Sequence, residues 1–126
     1  MDKVLTQEIF ERLRQATAKD PAVLEELCRD YLSEARVTIA QMREAVASHK
    51  GDALRDRAHY LKGSSMMMGA QALSQFCAAM ERMGRESDFQ EAASTLEQAV
   101  VALGAVELEL KNEFGPAVIP AEGSAA

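Results

Sequence analysis

Between Leu24 and Val46 the apolar residues fall three or four positions apart: Leu24, Leu27, Cys28, Tyr31, Ala35, Ile39, Met42 and Val46. Such spacing lines up on one face only in an α-helix, and a helix with a single apolar stripe must bury it against other elements. The same period returns along the chain. Nowhere does strict apolar/polar alternation persist with β-branched residues between turn clusters. The sequence therefore predicts an all-α fold.

Punctuation residues divide the periodic segments. Thr6 is a candidate N-cap for a first short helix over residues 7–17, with Ile9, Phe10 and Leu13 apolar. Asp20-Pro21 supplies a cap and then a proline at the first helical position, where its missing N–H is harmless. That helix reaches Ser48, with Gly51 suited to its C′ position and Asp52 to capping the next. A third helix carries Leu54, Ala58, Leu61, Ser65 and Met68 inward and ends near Gly69. A fourth uses Leu73, Phe76, Cys77, Met80 and Met83. Ser87 to Gln90 reads as a capping box opening a fifth helix that ends about Phe114. Gly104 lies beside the fifth stripe, where it either permits close helix contact or weakens the helix.

Short loops between long helices favour antiparallel neighbours. The expected architecture is an antiparallel up-down-up-down four-helix bundle with an additional short N-terminal helix, a single domain over residues 1–114. Residues 115–126, with two prolines and no periodicity, are expected to form a mobile tail. A monomer is expected, since such a bundle can bury its own stripes.

At 126 residues, 48% apolar and 27% charged, the chain is long enough for one real core. A formal charge of −6 argues against nucleic acid and anionic membrane as partners. The first twenty residues contain no apolar signal core, and Glu107 stops the longest apolar run, 99–106, far short of a membrane span. A soluble, cytoplasmic protein is expected. Cys28 and Cys77 match no zinc or redox spacing and read as buried apolar residues.

One stripe does not belong to the core. With Leu54, Ala58, Leu61, Ser65 and Met68 inward, a step of about 100° puts Arg55, His59, Lys62, Gly63 and Met66 on the adjacent stripe. Gly63 removes a side chain beside the imidazole, at a helix cost of about 1 kcal/mol relative to alanine. Lys62 and Arg55 bring positive charge that would stabilise a dianionic group on the ring. Imidazole is also a competent nucleophile. Taken singly, each residue has an ordinary reading: a hydrogen-bonded edge histidine, a solvated lysine, a packing glycine. A metal site finds no support, because no second histidine or Glu-x-x-His pair faces His59, and His49 lies at a helix end.

The run "AHYLKGSSMMMGAQALSQFCAAMERMGR", residues 58–85, resembles the pattern of histidine-containing phosphotransfer (HPt) domains, and is similar to standalone phosphorelay intermediates. The resemblance is strong over residues 54–85, and the five-helix outline extends it over about 5–114. It implies that His59 is the phosphorylated residue, modified on Nε2, that Lys62 neutralises the phosphoryl group and that Gly63 leaves room for a receiver domain. Ser64 and Ser65 match the paired serines, and Ser65 faces inward on the spacing above. Glu81 stands where many relatives have a glutamine that orients the imidazole; it could accept a hydrogen bond from the ring, but its charge would disfavour a nearby phosphate. Arg85 matches a basic residue one turn later.

The resemblance further implies a phosphocarrier without kinase activity of its own. It would accept a phosphoryl group from a receiver aspartate, including that of a hybrid sensor kinase, and pass it to another receiver. No cofactor is expected in this chain, the Mg²⁺ for transfer sitting in the receiver. Docking is expected to use Ile9, Phe10 or Leu13 on the first helix, the edge of the second, and Met66. Met68 is expected in the core, and Met67 fits core filling as well as the rim. The alternative is a helical adaptor that binds receivers without phosphate.

Overall fold

In the computed structural model of the chain, residues 4–121 are described. Five α-helices follow one another: α1 (Gln7–Ala16), α2 (Pro21–Ala47), α3 (Gly51–Met68), α4 (Gln71–Glu86) and α5 (Phe89–Phe114). A 3₁₀ turn, Pro116–Val118, comes after α5. Among the described residues there is no strand, only an isolated antiparallel bridge between Leu5 and Ala70. The fold is all-α, as the apolar period predicts.

α2 begins as its sequence dictates. The Asp20 carboxylate accepts the Ala22 N–H at 3.2 Å and Pro21 takes the first helical position, a cap that contributes about 1 kcal/mol. α3 ends at Gly69, whose φ of 82° lies in the left-handed region that glycine enters freely. Two other boundaries differ from expectation. His49, at φ 53°, takes the left-handed position after α2, and Gly51 already belongs to α3. Ser87, at φ 56°, closes α4, so the cap of α5 falls to Asp88, which accepts the Glu91 N–H at 3.2 Å. Thr6 makes no side-chain capping bond.

α3 packs on α2 and α4, and α5 packs on the same two helices, so the four surround one core with α1 laid against α2 and α3. Leu32, Met42, Leu54, Leu61, Leu73, Met80, Leu96 and Leu110 are fully buried there. Cys28 and Cys77 are free, buried thiols, each pushed up to about 12 by burial and therefore unreactive. Ser65 faces inward as expected and shares a 2.7 Å hydrogen bond with the buried Tyr31 hydroxyl.

Gly51 and Gly84 explain each other. A Cβ on Gly84 would stand 2.7 Å from the Gly51 carbonyl oxygen and 2.8 Å from the Arg55 nitrogen. Both are backbone atoms, which cannot turn aside. α3 and α4 thus touch backbone to backbone at this point. Gly104 is the opposite case: apart from its own helical backbone and chain neighbours, nothing lies within 4 Å of the Cβ it lacks, so it makes no close contact with another helix of the chain.

The expected tail is partly structured. Val118 is fully buried and Pro120 is buried too. The Arg29 and Arg36 guanidiniums donate to the Ala117 and Pro120 carbonyls at 3.1 and 3.2 Å, and Arg36 also pairs with Glu107 at 2.9 Å. Residues 115–120 therefore pack on α2 and α5, and the expectation of a mobile segment from residue 115 is corrected; the rest of that expectation, beyond residue 121, lies outside the described residues.

The two glycines are expected to respond oppositely to alanine in dilute protein, where the chain's own packing decides. Gly84→Ala should lose about 1–3 kcal/mol through forced backbone displacement, whereas Gly104→Ala should gain about 1 kcal/mol of helix propensity. Urea denaturation of the two variants checks this; equal effects would contradict the α3–α4 contact.

Candidate functional site

α3 and α4 run side by side from the Gly51–Gly84 contact, and one turn along from it they bring His59 and Glu81 together. The His59 side chain is 68% exposed, and its Nδ1 lies 3.0 Å from Glu81 Oε2. The other carboxylate oxygen accepts from Lys62 Nζ at 2.7 Å. The Arg85 guanidinium stands 3.7 Å from Oε2. Glu81 itself is only 15% exposed, a carboxylate set beneath three basic groups.

That setting decides its charge and the ring's tautomer. The hydrogen bond from Lys62, seconded by that from His59, holds the Glu81 carboxyl below its ordinary 4.5, against the opposing effect of partial burial. An ionised carboxylate can only accept, so Nδ1 must carry the proton. In the neutral ring Nε2 then keeps its lone pair, and among the described residues it has no hydrogen-bond partner. The arrangement offers an exposed, oriented nucleophilic nitrogen with a half-buried carboxylate behind the ring.

Gly63, one turn after His59, is exposed, and apart from its own helical backbone and chain neighbours nothing lies within 4 Å of where its Cβ would be. The space in front of the ring is therefore open. Arg55 shares the stripe but is occupied elsewhere, pairing with Asp56 at 3.2 Å and Asp52 at 3.7 Å. Ser64 donates to the Leu61 carbonyl at 3.2 Å, within its own helix.

The expected docking residues separate. Ile9 and Met66 line an open groove with Thr6, Lys62, Gln71 and Gln75, adjoining the His59 stripe. Phe10 is instead buried, its ring 6.3 Å from that of Phe114 beneath Arg14. Leu13 is half-buried against the core. The periodicity of the first helix gave its inward face, and Phe10 lies on it.

Other exposed residues of α3 and α2 were not assigned to the surface by their spacing. Tyr60 is exposed, its hydroxyl donating to Glu34 of α2 at 2.6 Å, with the Arg57 guanidinium 5.6 Å from its ring centre. Met67 is 71% exposed, which settles it as surface, and Leu27, placed in the core by its spacing, is 44% exposed. Leu27 lies beside the buried Cys28 on α2, at the edge of the inward stripe.

Among the described residues no three His, Cys, Asp or Glu side chains come together as a metal site. No helix among them is long and apolar enough to cross a membrane.

Comparison with known proteins bears on this geometry. Comparison with curated proteins finds no match. Among solved structures the chain is similar to the histidine-containing phosphotransfer protein B (HptB) from Pseudomonas aeruginosa PAO1. The TM-score is 0.80 at 25% identity, over 90% of this chain and 96% of that one. The Hpt domain family matches residues 26–113, more than half of the sequence. The chain belongs to the Hpt domain family.

Proposed function

We propose that the protein is a phosphocarrier of a multistep phosphorelay, with His59 as the residue that holds the phosphoryl group. The observation that carries this reading is the Glu81 carboxylate on Nδ1, which leaves Nε2 as the free nucleophile of an exposed ring. Family membership supports the same reaction class.

The step can be written in full. The Nε2 lone pair attacks the phosphorus of a receiver's aspartyl phosphate; the P–N bond forms as the P–O bond to the aspartate breaks, and the aspartate leaves as a carboxylate. The ring, still protonated on Nδ1, becomes cationic, and Glu81 is its counter-ion. Lys62 spends one of its three N–H donors on Glu81, leaving the others for the phosphoryl oxygens. The charge of Glu81, which in the sequence counted against a nearby phosphate, is thereby offset. A second receiver reverses the step onto its own aspartate. The Mg²⁺ these transfers need belongs to the receivers, and the carrier works with them in the cytoplasm.

Docking would occur over the outer face of α3. Tyr60, Met66 and Met67 are exposed there, with Leu27 on the neighbouring α2. Apolar area of this kind, rimmed by charge, suits a transient protein partner, and methionines adapt to more than one receiver. Antiparallel alternation of α2 to α5 is part of this reading, supported by connections of only two or three residues, 48–50, 69–70 and 87–88.

Transfer from a panel of phosphorylated receivers tests the proposal. Acid-labile label is expected on the wild type and absent from His59→Gln; equal labelling of both would remove His59 from the mechanism, and no labelling from any receiver would favour the adaptor. Gly63→Gln is expected to slow transfer by about 10²-fold through misplacement of the partner, with helicity unchanged by circular dichroism. Unchanged transfer would contradict the clearance role.

Glu81→Gln gives a pH-dependent expectation. A carboxyl whose folded value is lowered stabilises the fold above its unfolded value, and that contribution is lost as the pH falls through the folded one. The wild type should exceed the variant by about 1 kcal/mol at pH 7. The gap should close on acidification below 4.5. Urea midpoints of both proteins across that range check it; a constant gap would contradict an ionised Glu81.

A further inference from the structure

α5 has a second face, away from the histidine. Glu97, Val101, Gly104, Leu108 and Lys111 follow one another at intervals of four, three, four and three residues. That is the repeat of a coiled-coil seam, and every member of it is exposed. Val101 is 74% and Leu108 60% exposed, a large apolar surface to leave in water at the middle of a helix. Gly104 stands between them. A glycine there weakens the helix, and nothing inside the chain approaches it closely enough to require one. Phe76 of α4 and Ala102 and Ala105 of α5 extend the apolar surface on one side. Since α3 and α5 each pack on α2 and α4, this seam lies across the bundle from His59 and outside the proposed receiver surface.

We propose that the seam pairs with that of a second copy of the chain, α5 against α5, antiparallel across a two-fold axis at Gly104. The charges choose this occupant and this direction. Glu97 and Lys111 each lie seven residues from Gly104, on opposite sides. An antiparallel pair sets Glu97 of each copy against Lys111 of the other, twice over, whereas a parallel pair would oppose like charges. Lys111 has no ion pair among the described residues. Glu97 holds Arg43 at 2.6 Å through one oxygen, and both groups are exposed, so the other oxygen can meet a lysine. Val101 of each copy then packs beside Leu108 of the other, and Gly104 lets the two backbones come close. The dimer would present its two histidines on opposite outer sides, each open to a receiver.

Single cysteines test the arrangement, because Cys28 and Cys77 are buried. Gly104→Cys is expected to form a disulfide-linked dimer under mild oxidation. Ser94→Cys, also on the exposed face, lies ten residues away, so its two copies would be about 30 Å apart in the antiparallel pair, and it should remain monomeric. In sedimentation equilibrium the unmodified chain should rise with concentration toward twice the chain mass. Glu97→Lys and Lys111→Glu should each weaken association at least tenfold, and together restore it, with helicity unchanged. A chain mass that stays constant to millimolar concentration, equal cross-linking of both cysteine variants, or no rescue by the double charge reversal would overturn the proposal.

Discussion

The site depends on the backbone contact between Gly51 and Gly84. A side chain at either position would push α3 and α4 apart, since the obstructing atoms are main-chain atoms of the facing helix. With both absent, the helices close up beside Arg55. Glu81 lies one turn from Gly84 along α4, and His59 one turn from Arg55 along α3. The 3.0 Å contact between the ring and the carboxylate follows from that geometry, as does the partial burial of Glu81 that makes it a fixed counter-ion rather than a solvated surface group. Packing and chemistry are thus two consequences of the same pair of missing side chains.

Charge is organised around this point. A chain with a net charge of −6 places Lys62, Arg85 and Arg55 near one histidine. The carboxylate beneath the ring keeps two of those cations in position and supplies the ring's counter-ion. A phosphoryl group arriving at Nε2 would meet an already ordered set of donors, with little reorganisation needed.

Much of this was legible in the sequence because it is local. The period of three and four residues gave all five helices, Asp20-Pro21 gave the start of α2, and Gly69 gave the end of α3. Stepping around α3 gave the exposed stripe of His59, Lys62, Gly63 and Met66. The family resemblance of residues 58–85 pointed to phosphotransfer as the chemistry of that stripe. What escaped was non-local or depended on a single backbone angle. No spacing rule links residue 51 to residue 84, so Gly51 read as a helix terminator and nothing in the sequence singled out Gly84. His49 and Ser87 occupy left-handed positions that usually fall to glycine or asparagine. Residues 115–120 looked mobile by composition, yet carbonyls held by Arg29 and Arg36 fix them across 88 and 84 residues of chain. Phe10 was assigned to docking although the first helix needs an inward anchor.

Phosphorylating the protein through a receiver and recording its ³¹P and ¹⁵N ring spectra would test the central claim, that Glu81 on Nδ1 leaves Nε2 to take the phosphoryl group. The account predicts one phosphohistidine, on Nε2 of His59, with the proton retained on Nδ1. Phosphate found on Nδ1, or on any other residue, would contradict it.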